Sequence, residues 1–220
     1  MLVSLWMTRN PVAIAPEASI SDAAAIMATR RIRRLIVTPH GGPGEPVVGI
    51  VTVHDLLRTF PPDLNPFSVV ARERRLPTRV VQAMTREPWT TTASTPVEEA
   101  AQLMNERKVG GLPVVSRGRL VGVITESDVF RAFLEVVGVH EPGVRVVFDL
   151  AEDEDVVGLV ASLAGRAGMR VASVLGMRHD RGRLAVVRLL GGDGERFIDD
   201  VLRSGHRVVS VLRTEPTAAA

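Results

Sequence analysis

GIVTVHDLLRTF at residues 49–60 and GVITESDVFRAF at residues 122–133 are two copies of one pattern, 73 residues apart. Each runs from an apolar, strand-like stretch through Thr-x-x-Asp into a helix. Working upstream, MTRNPVAI (7–14) lies over MTREPWTT (84–91) at an offset of 77. The same offset aligns Met27 with Met104, Arg30 with Arg107, Leu35 with Leu112 and Val37 with Val114. A longer Gly/Pro-rich turn in the first copy, HGGPGEP, accounts for the change from 77 to 73. Matches at the start, middle and end of each unit indicate a tandem duplication.

Both copies share one local order. A short extended stretch follows Met-Thr and proline. A helix comes next, with Ala23, Ala24, Ile26 and Met27 on one face in copy one and Ala100, Ala101, Leu103 and Met104 in copy two. Thr95, Pro96 and Glu98 predict a hydroxyl cap, a first-turn proline and a capping-box acid for the second of these helices. Strands follow at 35–38 with 47–51 and at 112–115 with 120–124, then another helix. Strand–helix–strand–strand–helix, twice, predicts small α/β units that pack against each other.

Composition excludes several classes. The 220 residues contain no cysteine, which removes disulfide scaffolds, thiolate metal sites and cysteine nucleophiles. The 27 basic and 25 acidic residues nearly balance, so neither nucleic acid nor an anionic surface is an expected partner. The high pI of 10.2 reflects arginine excess with almost nothing titrating between neutral pH and 10. No apolar run reaches the ~18 residues of a membrane span, and MLVSLWMTRNP lacks a basic segment before its apolar stretch, so a cytoplasmic location is expected. Walker loops, GxGxxG, GxSxG and HExxH are absent, and the five histidines are scattered, so the protein reads as a non-enzyme that requires no cofactor or metal.

Residues 144–213 follow another rhythm. VRVVFDL reads as a strand. Val156, Leu159, Val160, Leu163, Ala164 and Ala167 have helical spacing up to Gly168. MRVASVLGM and RLAVVRLL flank the turn HDRG. Phe197, Ile198, Val201 and Leu202 mark a second helix closed by Gly205, and RVVSVL is a last strand. The order βαββαβ is the ferredoxin-like unit.

Each Thr-x-x-Asp, Thr52 to Asp55 and Thr125 to Asp128, suits a helix N-terminus. The hydroxyl and carboxylate can cap the first amides, and the same end suits an anionic ligand. The repeated Met-Thr opening, GLPVV at 111–115 and the two Thr-x-x-Asp motifs resemble the tandem cystathionine-β-synthase (CBS) domain pair, or Bateman module, over about residues 1–137. The resemblance implies adenine nucleotides in the cleft between repeats, with AMP, ADP, ATP or adenosylmethionine as candidates. By position it implies that backbone at Val12, Ala13 and Ile14, and at Thr90 and Thr91, holds the adenine edge. Arg34, Leu35 and Ile36, or Gly111, Leu112 and Pro113, wall the cleft. Arg34 is the expected phosphate ligand, and Asp55 and Asp128 the ribose acceptors. Copy one departs from the family at Ile36, where proline is usual. Arg30, Arg31 and Arg33 read equally well as a solvated basic face.

By order and size the C-terminal segment resembles an ACT domain, a small-molecule regulatory fold that often dimerises. Its first loop reads AEDED where amino-acid-binding members carry glycine, and those acids would repel a ligand carboxylate. The whole architecture is similar to acetoin-utilisation B-type proteins.

The α/β (α+β) chain therefore reads as CBS repeat 1 at 1–60, a connecting segment at 61–78, with Arg72, Arg74 and Arg75 on a solvated helix, and CBS repeat 2 at 79–137. A hinge at 138–143, an ACT-like domain at 144–213 and a tail at 214–220 follow. The expected function is regulatory nucleotide sensing, as a homodimer with an unspecified regulated protein partner. The alternatives are a dimerisation adaptor that binds nothing, or metabolite sensing by the ACT-like domain.

Overall fold

The computed structural model describes residues 1–59, 77–138, 142–180 and 182–214. Most of the expected connecting segment, including its arginine helix, the centre of the hinge and nearly all of the tail lie outside the described residues. The chain divides into two compact units, Met1–Ala132 and Phe133–Ala220, and the boundary along the chain falls inside the helix Glu126–Val137, upstream of the expected hinge.

In the first unit, Val3–Leu5 form a 3-10 turn, followed by β1 (Thr8–Arg9), β2 (Ala13–Ile14), α1 (Ile20–Arg30), β3 (Arg34–Val37), β4 (Gly49–Thr52) and α2 (Val53–Leu57). The second copy gives α3 (Val80–Ala83), β5 (Thr85–Arg86), β6 (Thr91–Thr92), α4 (Val97–Arg107), β7 (Gly111–Ser116), β8 (Arg119–Thr125) and α5 (Glu126–Val137). The sheets do not follow the copies. One sheet has the order β2-β3-β4-β5 and the other β1-β8-β7-β6, so each repeat donates its first strand to the other. Thr8 pairs with Val123, and Thr85 with Ile50.

The exchange extends to the helices. Val97 N–H, at the start of α4, donates to the Met1 carbonyl at 2.8 Å, and Val3 N–H to Thr95 at 2.9 Å. Symmetrically, Ile20 N–H donates to Thr78 and Val80 N–H to Ala18, both at 3.0 Å. Chain from the other repeat thus satisfies the amides that every helix start leaves open. This corrects the expected Thr95 cap. The helix is preceded by Pro96 with no side-chain cap, and the Thr95 hydroxyl instead accepts from Thr92 N–H at 3.3 Å. In α1 the box is present, built by Ser19 and Asp22. Ala24, expected on the apolar face of α1, is exposed, while Ala23 and Met27 are buried.

The cores show the same interleaving. Val3 packs with Val97, Ala100, Met104, Leu112, Val114 and Ile124 of copy two, and Val80 with Ile14, Met27, Leu35 and Val51 of copy one. The long turn of copy one also crosses over. Gly44 N–H donates to Leu120, Leu120 N–H to Glu45, and the Arg119 guanidinium to the Gly44 carbonyl.

The second unit contains β9 (Gly143–Leu150), α6 (Val156–Arg166), β10 (Arg170–His179), β11 (Gly182–Leu190), α7 (Gly194–Arg203) and β12 (Val208–Thr214). Its sheet is antiparallel with order β10-β11-β9-β12, so β9 is central and the two halves of the βαββαβ are intercalated. Phe148 and Phe197 are fully buried between the sheet and its helices. Asp155 caps α6 and Asp193 caps α7, each carboxylate accepting two amides at 3.1 Å. Gly143 begins the first strand rather than ending a hinge. A side chain there would collide with the Leu189 carbonyl of β11. Of the residues that mark α7, Phe197 and Val201 are buried and Leu202 is 52% exposed.

The exchange makes each copy depend on an apolar residue of the other. Val3→Ala and Val80→Ala should each lower stability by about 1.5–3 kcal/mol in urea unfolding. Leu5→Ala, at 73% exposure, should change it by less than about 0.5 kcal/mol. Equal midpoints for all three would mean that the crossed segments are not part of the cores.

Candidate functional site

Both Thr-x-x-Asp motifs form complete capping boxes. Thr52 donates its backbone N–H to Asp55 Oδ2 at 2.9 Å and its hydroxyl to the same oxygen at 2.7 Å. Asp55 N–H returns to Thr52 Oγ1 at 3.3 Å. The distances at Thr125 and Asp128 are 2.9, 2.7 and 3.4 Å. One carboxylate oxygen is therefore held by the cap while the other is directed elsewhere. Asp128 Oδ1 accepts from Arg131, and Asp128 is 6% exposed.

A pocket of about 300 Å³ opens within the first unit and takes its walls from both repeats. Thr8, Asn10, Pro11 and Val12 come from the opening of copy one, and Arg31, Ile32, Arg33, Arg34 and Ile36 from the end of α1 and from β3. Val123, Thr125 and Asp128 come from copy two. The exchanged β1 explains this composition, because pairing Thr8 with Val123 seats the copy-one opening beside the copy-two aspartate. Apolar Val12, Ile36, Pro11 and Val123 make one part of the lining. Arginines and Asp128 make the other.

Of the residues singled out in the sequence, Val12, Arg34, Ile36, Thr125 and Asp128 line this pocket. Ala13 and Ile14 form β2, with Ile14 turned into the core. Leu35 and Leu112 are fully buried core residues, because strand alternation directs them away from the cleft. Thr52 and Asp55 cap α2 and do not line this pocket. Thr91 is buried in β6, and Thr90 is exposed just before it. Gly111 and Pro113 are buried in β7, opposite Thr125 and Val123.

Arg34 is already engaged across the repeats. Its guanidinium donates to the Gly110 carbonyl of the other repeat and occupies the space that a side chain at Gly111 would fill. Burial lowers its pKa below the ordinary value, and neighbouring Arg33 adds to this. Glu126 and Asp128 act in the opposite direction. Arg34 is thus a cross-repeat strut that also faces the pocket, whereas Arg31 and Arg33 are exposed at its rim.

Thr8, Asn10, Pro11, Ile32 and Val123 also line the pocket and are not among the residues singled out in the sequence. Asn10 carried a signal, since it adopts φ 48° and asparagine tolerates the left-handed region better than most residues. Among the described residues, no group of three His, Asp or Glu side chains is placed to hold a metal ion, and no helix is long and apolar enough to cross a membrane.

The CBS-domain family model matches residues 3–61 and 80–135, the two copies of the duplication. The chain belongs to the CBS-domain family. A CBS domain-containing protein of Dictyostelium discoideum is 33% identical over 138 residues, covering 62% of this chain and 93% of that protein. Inosine-5'-monophosphate dehydrogenase of Staphylococcus aureus is 33% identical over 121 residues, 54% of this chain but only 22% of that enzyme. Among solved structures, CBSX2 in complex with AMP is 30% identical with a TM-score of 0.50, covering 61% of this chain and 97% of that one. An acetoin utilization protein from Vibrio cholerae is 25% identical with a TM-score of 0.53, covering 63% and 96%. The CBS pair of protein MJ0100, with 5'-methylthioadenosine and S-adenosyl-L-methionine, is 26% identical with a TM-score of 0.51, covering 60% and 99%.

Each CBS repeat of this chain ends in a helix held by its box. Thr52→Ala and Thr125→Ala should each lower stability by about 0.5–2 kcal/mol in denaturant titrations. Unchanged midpoints would show that the boxes contribute nothing to holding α2 and α5.

Proposed function

We propose that this chain is a regulatory protein, not an enzyme, whose CBS pair senses an adenine nucleotide or adenosyl ligand. The observation that carries this reading is the composition of the inter-repeat pocket. Apolar Val12 and Ile36 suit a purine, Asp128 suits ribose hydroxyls, and exposed Arg31 and Arg33 suit phosphate, because guanidinium forks match phosphate oxygens in pairs. The AMP bound to CBSX2 and the adenosyl ligands bound to MJ0100 support the ligand class. The matching Thr-x-x-Asp box of the first repeat extends this proposal to Thr52 and Asp55.

The second unit reads as a ferredoxin-like, ACT-like domain, because its connectivity and central first strand match that pattern. Ligand state in the CBS pair would be passed to this domain or to a regulated protein. The likeness to the Vibrio cholerae acetoin utilization protein supports an architecture of that kind, and a cytoplasmic location is part of the proposal.

The expected ligand response is direct. In protein stripped of co-purified nucleotide, AMP at a hundred times its dissociation constant should add about 2.7 kcal/mol, seen as a raised melting temperature. Asp128→Asn keeps much of the cap but loses charge-assisted hydrogen bonds, which lowers affinity about ten- to a hundredfold. If AMP, ADP, ATP and adenosylmethionine all leave the melting curve unmoved, the dimerisation adaptor becomes the better account.

The protein also reads as a homodimer. Leu57 of α2 and Phe130 of α5 occupy equivalent positions in the two copies and are 42% and 61% exposed. An apolar groove of about 400 Å³, lined by Ala24, Met27, Val53 and Leu57 among others, lies beside Leu57. Light scattering should give about twice the chain mass of 23.8 kDa, with Phe130→Glu shifting it towards the monomer. A monomer at all micromolar concentrations would refute this.

A further inference from the structure

The two seams between the repeats carry a methionine at matching places. Met7 N–H donates to the Val3 carbonyl at 2.9 Å and Met84 N–H to the Val80 carbonyl at 2.8 Å. Each thioether therefore leaves the chain one turn after the valine that enters the other copy's core. Each then lies on a glycine of the strand that its own segment joins. A Cβ at Gly122 of β8 would stand 2.6 Å from Met7 Sδ, and a Cβ at Gly49 of β4 would stand 2.6 Å from Met84 Sδ. The Thr8 carbonyl oxygen is 3.0 Å from the first of these points and the Thr85 carbonyl oxygen 3.1 Å from the second. The sulfur fills the place of the missing side chain. The crossed strands beside it are short, since β1 meets β8 through Thr8 and Arg9, and β5 meets β4 through Thr85 and Arg86.

The other methionines stand elsewhere. Met27, Met104 and Met169 are buried, one in each core, while Met1 and Met177 are exposed. Met7 and Met84 are half-buried, packed against the cores without being enclosed by them. With no cysteine in the chain, thioethers are the sulfur that a peroxide can oxidise. In that reaction a sulfur lone pair forms an S–O bond as the O–O bond breaks, and the departing hydroxide takes the remaining proton and leaves as water. The sulfur loses two electrons and the peroxide gains them. An apolar, flexible side chain becomes a polar one whose new oxygen needs a hydrogen-bond donor. The Thr8 and Thr85 carbonyls that flank the two glycines are acceptors and cannot supply it.

We propose that Met7 and Met84 are a matched pair of peroxide-modification sites, and that their sulfoxides loosen the exchange of segments between the repeats. Thr8 and Val123 are partners in the β1–β8 pair and also walls of the inter-repeat pocket, so oxidation of Met7 disturbs that pocket as well.

Hydrogen peroxide is the probe. Titrated into the full chain and followed by peptide mass mapping, it should place sulfoxide on Met7 and Met84 while Met27, Met104 and Met169 stay reduced. The melting temperature should fall by about 3 °C or more as those two positions fill. Methionine sulfoxide reductases A and B with a thiol reductant should restore it. In Met7→Leu/Met84→Leu, peroxide still reaches Met1 and Met177, and the melting temperature should move by less than about 1 °C. If the double variant does not fold, Met7→Leu and Met84→Leu alone should each remove part of the parent chain's loss. Three results overturn the proposal at its root: Met7 and Met84 resist peroxide while Met1 and Met177 oxidise, they oxidise with no change in melting, or the leucine variants lose as much stability as the parent. Repair of both sulfoxides without recovery of the melting temperature overturns it equally.

Discussion

The reciprocal exchange of N-terminal segments is the constraint on which the CBS pair depends. Val3 fills the core of the second copy and Val80 that of the first, and each crossing chain also accepts the opening amide of the other copy's helix. Buried apolar area and otherwise orphaned backbone donors are satisfied by the same few residues. Neither repeat closes its sheet from its own sequence, so the folding unit is the pair. The long HGGPGEP turn, which looked like an insertion in one copy, adds a further clasp through Gly44, Glu45 and Arg119.

The same exchange creates the pocket. Because β1 joins β8, the opening of copy one meets the aspartate of copy two, and a cleft forms with walls from both. A ligand there would touch both repeats, which are already joined by many polar links. Arg34 is one of these, bonded to Gly110 while facing the pocket. A ligand phosphate competing for that guanidinium would be felt across the repeat interface, which gives a nucleotide a physical route to alter the pairing of the two copies.

The C-terminal unit is built on simpler terms. Its sheet buries Val146, Phe148, Ala185, Val187 and Leu189 beneath two helices whose starts are capped by aspartates. The acidic loop before α6 is occupied locally. Glu154 accepts from Ala151 N–H and sits 3.1 Å from His206, while Arg183 donates to the Ala151 and Glu152 carbonyls. These contacts tie the loop to its neighbours without any ligand.

Periodicity and repetition determined much by themselves. The duplication, the strand and helix sequence of both units and the two Thr-x-x-Asp caps depend on local spacing, and hydrogen bonds three residues apart were legible in the order of residues. The βαββαβ run was legible for the same reason, since its alternation is uninterrupted. What only tertiary structure decided was partnership between the two copies, across 35 or more residues. Sequence order placed Val3 and Thr8 in the first repeat, yet they complete the second. It offered Thr95 as a cap where the Met1 carbonyl acts instead, and it gave no sign that Arg34, besides facing the pocket, donates to Gly110 of the other repeat. Local spacing encodes which way a side chain leaves its own backbone. Which distant backbone it meets is set by the joint packing of both copies, a quantity that no single stretch of the chain contains.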